Sequence, residues 1–178
     1  MLITIRRLFL SDLSFLQTLG RATYEPYYQH LWFEGGVEWY LHRCFNTGIL
    51  QQELQNDRIE YYAAETETGR LVGMLKWVHG QLPPPSVAPQ PIFEQALYLE
   101  KIYLMPEFFG KGVGQILLEM VAEKAREMGK EALWLQVMHS GPLQAYEKAG
   151  FMKVGESRFE FDLLRPSERG AWVMLKML

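Results

Sequence analysis

Three separated groups of residues have types and spacings suited to chemistry: the run Phe109-Gly110-Lys111-Gly112-Val113-Gly114-Gln115, the carboxyl of Glu100 and the phenol of Tyr146. Glycines at 110, 112 and 114 let backbone N–H groups converge on one point with no Cβ in the way, a geometry that suits an anion. Glu100 can take a proton from an alkylammonium, directly or through water, and so free the lone pair that attacks a carbonyl. Set among Tyr98, Ile102 and Leu104 on one face of a strand, its carboxyl is expected to have a raised pKa. Tyr146 can protonate a departing sulfur, because a thiol has a reference pKa of ~8.5 and a tyrosine one of ~10. Each group also has a plainer reading: an ordinary glycine turn, a salt-bridged glutamate, and a core tyrosine hydrogen-bonded to backbone.

These groups depend on the elements that carry them. Residues 96–104 read as a strand that ends at Pro106, and the glycine run opens a helix over 112–128. That helix buries Val113, Ile116, Leu117, Met120, Val121 and Met128 at i, i+3, i+4 spacing. Its free N–H groups and positive dipole end face the loop. The loop is not a nucleotide-hydrolysing P-loop, since no Gly-Lys-Ser/Thr triplet follows, and it lacks the Gly-x-Gly-x-x-Gly dinucleotide spacing. Residues 132–138 form a strand and 141–149 a helix, with Ser140 or Gly141 as cap and Gly150 as stop; Tyr146 shares the inward face of Leu143.

Upstream, the spacing predicts a strand over 2–7 and a helix capped by Ser11-Asp12. An aromatic loop over 24–36 follows, then a second helix from about 37 to 54. Residues 59–64 and 71–78 form a hairpin. Five of the nine prolines fall between Gln81 and Pro91, which makes that stretch a surface loop. Strands over 151–161 and 170–178 close the chain. The expected architecture is α/β (α+β): a mixed, largely antiparallel central sheet of six to seven strands with helices on both faces, in one domain of 178 residues.

Bulk properties exclude several classes. The net charge of −3 and the scattered basic residues argue against nucleic acid as a partner. No apolar run approaches the ~20 residues of a membrane span. The start Met1-Leu2-Ile3-Thr4-Ile5 is too short and too alternating for a secretion signal, so a cytoplasmic location is expected. Cys44 is the only cysteine, read as a half-buried helix residue outside the motifs. His30, His42 and His79 lack metal-like spacing, so no metal is expected.

Together the segments resemble the GNAT superfamily of N-acetyltransferases. Its signature is a strand, a Gln/Arg-x-x-Gly-x-Gly/Ala loop opening a helix, and a later Tyr-x-x-x-Gly-Phe. Here these read Phe109-Gly110-Lys111-Gly112-Val113-Gly114 and Tyr146-Glu147-Lys148-Ala149-Gly150-Phe151. Leu99-Glu100-Lys101-Ile102-Tyr103-Leu104, Trp134-Leu135-Gln136-Val137 and Val173-Met174-Leu175-Lys176 look most like its polyamine-acetylating, PaiA-like branch. The resemblance implies acetyl-CoA as acyl donor, with the amides of Phe109 to Gln115 on the coenzyme pyrophosphate. It lays the pantetheine arm along Ile102, Tyr103 and Leu104, pairing with backbone groups of Ile102 and Leu104. A main-chain N–H near Leu104 then faces the thioester oxygen, Tyr146 protonates the sulfur and Glu100 deprotonates the amine. Phe109 departs from the usual Gln or Arg. His139 occupies the place, seven residues before Tyr146, of an Asn that contacts the coenzyme, which leaves His139 and Ser140 as its substitutes.

The expected reaction is direct transfer to a primary amine, a polyamine or another small amine, in a ternary complex. The alternatives are a non-catalytic acyl-CoA sensor and a protein N-terminal or lysine acetyltransferase with a groove between the early helices and the strand near Gly80. Tyr24, Tyr27, Tyr28, Trp32 and Phe33, with Glu25 or Glu34, can be read as an aromatic cage for an alkylammonium or as an aromatic patch packed on the sheet or on a second subunit. A homodimer is left open.

Overall fold

A computed structural model describes residues 2–178. Seven strands form one sheet in the order β1 (Ile3–Leu8), β2 (Ile59–Thr66), β3 (Leu71–His79), β4 (Ala96–Leu104), β5 (Ala132–Met138), β7 (Gly170–Met177) and β6 (Met152–Arg158). All neighbouring pairs are antiparallel except β4 and β5, which are parallel. This is the mixed, mostly antiparallel sheet expected from the sequence.

One face of the sheet packs against α4 (Val113–Glu127), and α5 (Leu143–Lys148) lies at its end. The other face carries α1 (Leu13–Tyr28), α2 (Gly36–Phe45) and α3 (Thr47–Leu54). The buried stripe of α4 is Val113, Leu117, Leu118, Val121, Ala122 and Ala125. Ile116 and Met128, expected inside, are exposed, because the stripe is built on i, i+4 steps with alanines facing the sheet.

Two early expectations need correction. The supposed aromatic loop begins as helix: α1 runs to Tyr28 through Pro26, and a 3-10 turn covers Gln29–Leu31. Burial of Tyr24 and Leu31 in the core against the sheet outweighs the local helix-breaking signals. The single helix expected over 37–54 is broken at Asn46, whose extended backbone (φ −69°, ψ 156°) ends α2 and caps α3 by accepting from the Ile49 N–H at 3.0 Å. That break turns α3 so that Glu53 reaches the sheet.

Candidate active site

The site begins where two strands part. β4 and β5 pair only through Ala96/Ala132, Leu97/Leu133 and Tyr98/Trp134, and the Tyr98 and Trp134 rings stack at the vertex with centroids 3.9 Å apart. Immediately beyond it β4 carries a bulge. Lys76 faces Lys101 and Trp77 faces Leu99, so Glu100 is an extra residue with no partner on β3. A bulge bends its strand and raises its twist. The result is a cleft of about 1120 Å³ bordered by the inner edges of both strands, by α1 and α2, and by the start of α5.

The same bulge overturns the expected strand faces. Strict alternation puts Tyr98, Glu100, Ile102 and Leu104 together. In the structure Ile102 and Leu104 pack with Leu97 and Leu99 in the core under α4, while Tyr98 and Glu100 border the cleft. Beyond the bulge, the Met105 N–H donates to the Val72 carbonyl of β3 at 2.8 Å. Backbone groups alternate along a strand, so those of Leu104 and Ile102 turn the other way, toward the gap left by β5.

An ionic cluster crosses the cleft floor. The Lys76 ammonium lies 2.9 Å from Glu53 Oε1 and 2.9 Å from Glu100 Oε2. Lys101 bonds the other Glu100 oxygen, and the Tyr61 hydroxyl donates to Glu53. Burial pushes the Glu100 carboxyl up, but the adjacent Lys101 and Lys76 ammoniums outweigh it and hold the group at about 2. This is opposite to the raised value expected from the sequence, because the two lysines replace the apolar neighbours assumed there. Lys101 in turn loses stabilisation by burial and regains more from Glu100, so its pKa stands well above the usual lysine value.

Tyr146 lies on α5 at the cleft wall, its ring edge-on to Phe151 at 6.0 Å. Burial raises its phenol well above the ordinary tyrosine value, and Tyr28 of α1 adds to the rise. The Gln115 amide donates to the Ala145 carbonyl at 2.7 Å and braces α5 against the first turn of α4. The α5 cap is Pro142, not Ser140 or Gly141, and it uses no side chain. Gly141 is needed for space: a Cβ there would stand 2.7 Å from Val137 Cγ2.

The glycine loop sits at the far end of β4. Gly110 (φ 70°) and Gly112 (φ 76°) are left-handed, and a Cβ on either would meet nothing within 4 Å. Gly112 caps α4 with no side-chain hydrogen bond, and among the described residues the N–H groups of Gly110 to Gly114 meet no backbone acceptor, whereas those of Phe109 and Gln115, expected in the same cradle, donate to the Pro106 and Gly112 carbonyls at 3.1 Å each. A Cβ on Gly114 would lie 3.8 Å from Leu104 Cδ1, which places the helix start against the strand end. An empty cradle of amides continuous with an unpaired strand edge fits a pyrophosphate joined to an extended amide-containing arm. Phe109 packs on Tyr27 at 4.6 Å and fastens the loop to α1.

Among the expected site residues, Glu100, Ile102, Tyr103, Ser140 and Tyr146 border the cleft. Leu104 and Phe109 to Gln115 lie beyond its end. His139 is turned away, its ring 4.7 Å from Trp172 and against Gly170, where a Cβ would meet Nδ1 at 2.6 Å. The Ser140 hydroxyl is taken by Glu168. The Tyr103 hydroxyl pairs with that of Tyr40 at 2.7 Å.

The aromatic segment is a packed patch with one edge on the cleft. Tyr24 stacks between Tyr28 and Tyr40 at 4.5 and 4.4 Å, and its hydroxyl accepts from Trp32 Nε1 at 3.0 Å. Phe33 lies outside under Arg165, and Glu25 pairs with Arg21 at 3.0 Å. Sequence reasoning missed Lys76, Lys101, Glu53 and Arg43 at the cleft, and placed Cys44 away from it although it lines the wall. Lysines at inward strand positions beside a glutamate were the available signal.

A family model described as the acetyltransferase (GNAT) family matches residues 19–151. Streptothricin acetyltransferase of Streptomyces lavendulae is 37% identical over 65 residues, 35% of this chain and 34% of that protein. An acetyltransferase of Agrobacterium fabrum is 32% identical over 59 residues, 33% of this chain and 43% of that one. These matches span less than half the length of either curated relative. The PaiA N-acetyltransferase of Thermoplasma acidophilum, solved in complex with coenzyme A, superposes with a TM-score of 0.70 at 21% identity and full coverage of both chains. Mutant forms of the spermidine/spermine N-acetyltransferase of Vibrio cholerae give 0.67 at 17% identity, covering 99% of this chain and 95% of that one. At such identities the likeness is one of fold.

Proposed function

Because this chain belongs to the acetyltransferase (GNAT) family, we propose that it transfers acetyl from acetyl-CoA to the primary amine of a small molecule, without an acetylated enzyme intermediate. The carrying observation is the edge of β4 left unpaired beyond Tyr98, which has Tyr146 on the wall of the cleft beside it and leads on to the glycine loop, with its unfilled space at Gly110 and Gly112, past the cleft's end.

The amides of the glycine loop and the α4 dipole hold the pyrophosphate, and the backbone of Ile102 and Leu104 holds the arm as an added strand. The N–H near Leu104 faces the thioester oxygen as charge gathers there. The amine nitrogen bonds to the carbonyl carbon, the C–S bond breaks, the sulfur takes the Tyr146 proton, the nitrogen gives up its proton to solvent, and the Tyr146 phenolate, disfavoured by burial, takes one back from solvent.

Glu100 is a poor destination for that proton. The Lys101 and Lys76 ammoniums hold its carboxyl far below the usual carboxylate range and already occupy both of its oxygens, so taking a proton from an alkylammonium runs steeply uphill. We assign it the role of a fixed anion that locks Lys76 and Lys101 in place. The acceptor enters as free amine, helped by the buried ammoniums, which disfavour a further positive charge.

The test is release of free thiol from acetyl-CoA with the purified chain and a panel of small amines and peptides. Amine-dependent release, fastest with small amines, supports the reading. Coenzyme binding with no turnover on any acceptor refutes it and favours an acyl-CoA sensor.

A further inference from the structure

The cleft floor is saturated with internal ion pairs, and its remaining charge is positive. Three cations border it, Arg43, Lys76 and Lys101, against two anions, Glu53 and Glu100. Lys76 bridges both carboxylates and Lys101 takes Glu100 as well, so neither anion is left to receive a second ammonium. Arg43, on α2, is the exception on the cationic side. Its guanidinium lies over the Trp39 and Phe161 rings, 5.5 Å from each centroid, and among the described residues no carboxylate pairs with it. The rings hold the planar group in place while leaving its N–H donors free, the geometry in which arginine binds a carboxylate in two-point fashion. Between Arg43 and the β4 bulge the wall is aromatic, from Trp32, Tyr24 and Phe161.

We propose that the acceptor is a small amine with an apolar or aromatic body and one carboxylate, which Arg43 binds, and that a polycation is a poor substrate. This rests on the acetyl-transfer reading above and narrows it. A linear polyamine brings several positive charges into a cleft whose anions are already neutralised. An amino acid brings one, which must be lost before attack, and a carboxylate that meets the unpaired cation. Arg43 is thereby a specificity-determining residue for this reaction.

The test compares kcat/KM, by thiol release from acetyl-CoA, for L-phenylalanine and L-tryptophan, for their decarboxylated counterparts phenethylamine and tryptamine, and for spermidine. At least one amino acid should exceed its decarboxylated counterpart and spermidine by ~10-fold or more. Arg43→Gln should bring that amino acid down to the level of its counterpart, mainly through KM, and Arg43→Lys should retain part of the preference. Turnover best with spermidine, or a preference unmoved by Arg43→Gln, overturns this proposal and leaves acetyl transfer standing. Thiol release with none of the five amines overturns this proposal, and acetyl transfer falls with it only when the wider panel of small amines and peptides also gives none.

Discussion

At the scale of single residues, Tyr146 as proton donor is distinct from Glu100 as fixed anion. Tyr146→Phe keeps the ring against Phe151 and removes only the hydroxyl. Steady-state kinetics should show kcat reduced ~10²-fold or more, with coenzyme affinity by calorimetry changed little. Equal turnover would remove the tyrosine from the chemistry. For Glu100 the folded carboxyl lies at about 2, below its usual 4.5. A depressed folded pKa stabilises the fold above the unfolded value, and the contribution fades as pH falls from about 4.5 toward about 2. Rate against pH should therefore show no inflexion from Glu100 between ~5 and ~8, which a profile of kcat/KM with a fixed amine checks. Glu100→Gln strands the buried Lys101 ammonium and leaves Lys76 with Glu53 alone, and should cost about 3 kcal/mol in urea denaturation.

At the scale of elements, two departures from ideal secondary structure make the site. One is the bulge that parts β4 from β5; the other is the pair of left-handed glycines that leaves the α4 amides open. Gly112→Ala places a Cβ in that space at φ 76°. It should cost roughly 1 kcal/mol of stability and weaken coenzyme binding ~10-fold, read by thermal melts and calorimetry. The order of strands and late helices was legible in the sequence, because strand alternation, glycine stops and the loop signature are local signals. What was not legible depends on contacts distant in the chain. The bulge inverts the faces of Ile102 and Leu104 through pairing with β3. The Glu100 charge is set by Lys76, on another strand. Tyr24 to Leu31 is helical because the sheet buries it. His139, placed by counting back from Tyr146, turns to Trp172 instead.

At the scale of the whole molecule, the cleft divides the sheet between a half built on β1–β4 and one built on β5–β7, joined across it by only three residue pairs. A ligand that adds a strand there should stiffen the junction. Coenzyme A at about 100 times its Kd contributes ~2.7 kcal/mol of folding stability. For a chain of this size that is a rise in Tm of roughly 5–10 °C, measured by differential scanning fluorimetry. Lys76→Met, which leaves Glu53 with no cation and Glu100 with Lys101 alone, should lower Tm by a comparable amount. Among the described residues no helix is long and apolar enough to cross a membrane.

Cys44, the single cysteine of the chain, lies on the cleft wall, where a thiol could carry acetyl between coenzyme and amine in place of direct transfer. The decisive measurement is mass spectrometry of both protein and acceptor after incubation with acetyl-CoA and a turned-over amine, on the natural chain and on Cys44→Ala. Direct transfer predicts acetylated amine in equal yield from both proteins, one free coenzyme A per product, and no acetyl on the protein. An acetyl group on Cys44 that moves to the amine on its addition, with product lost in Cys44→Ala, would contradict it.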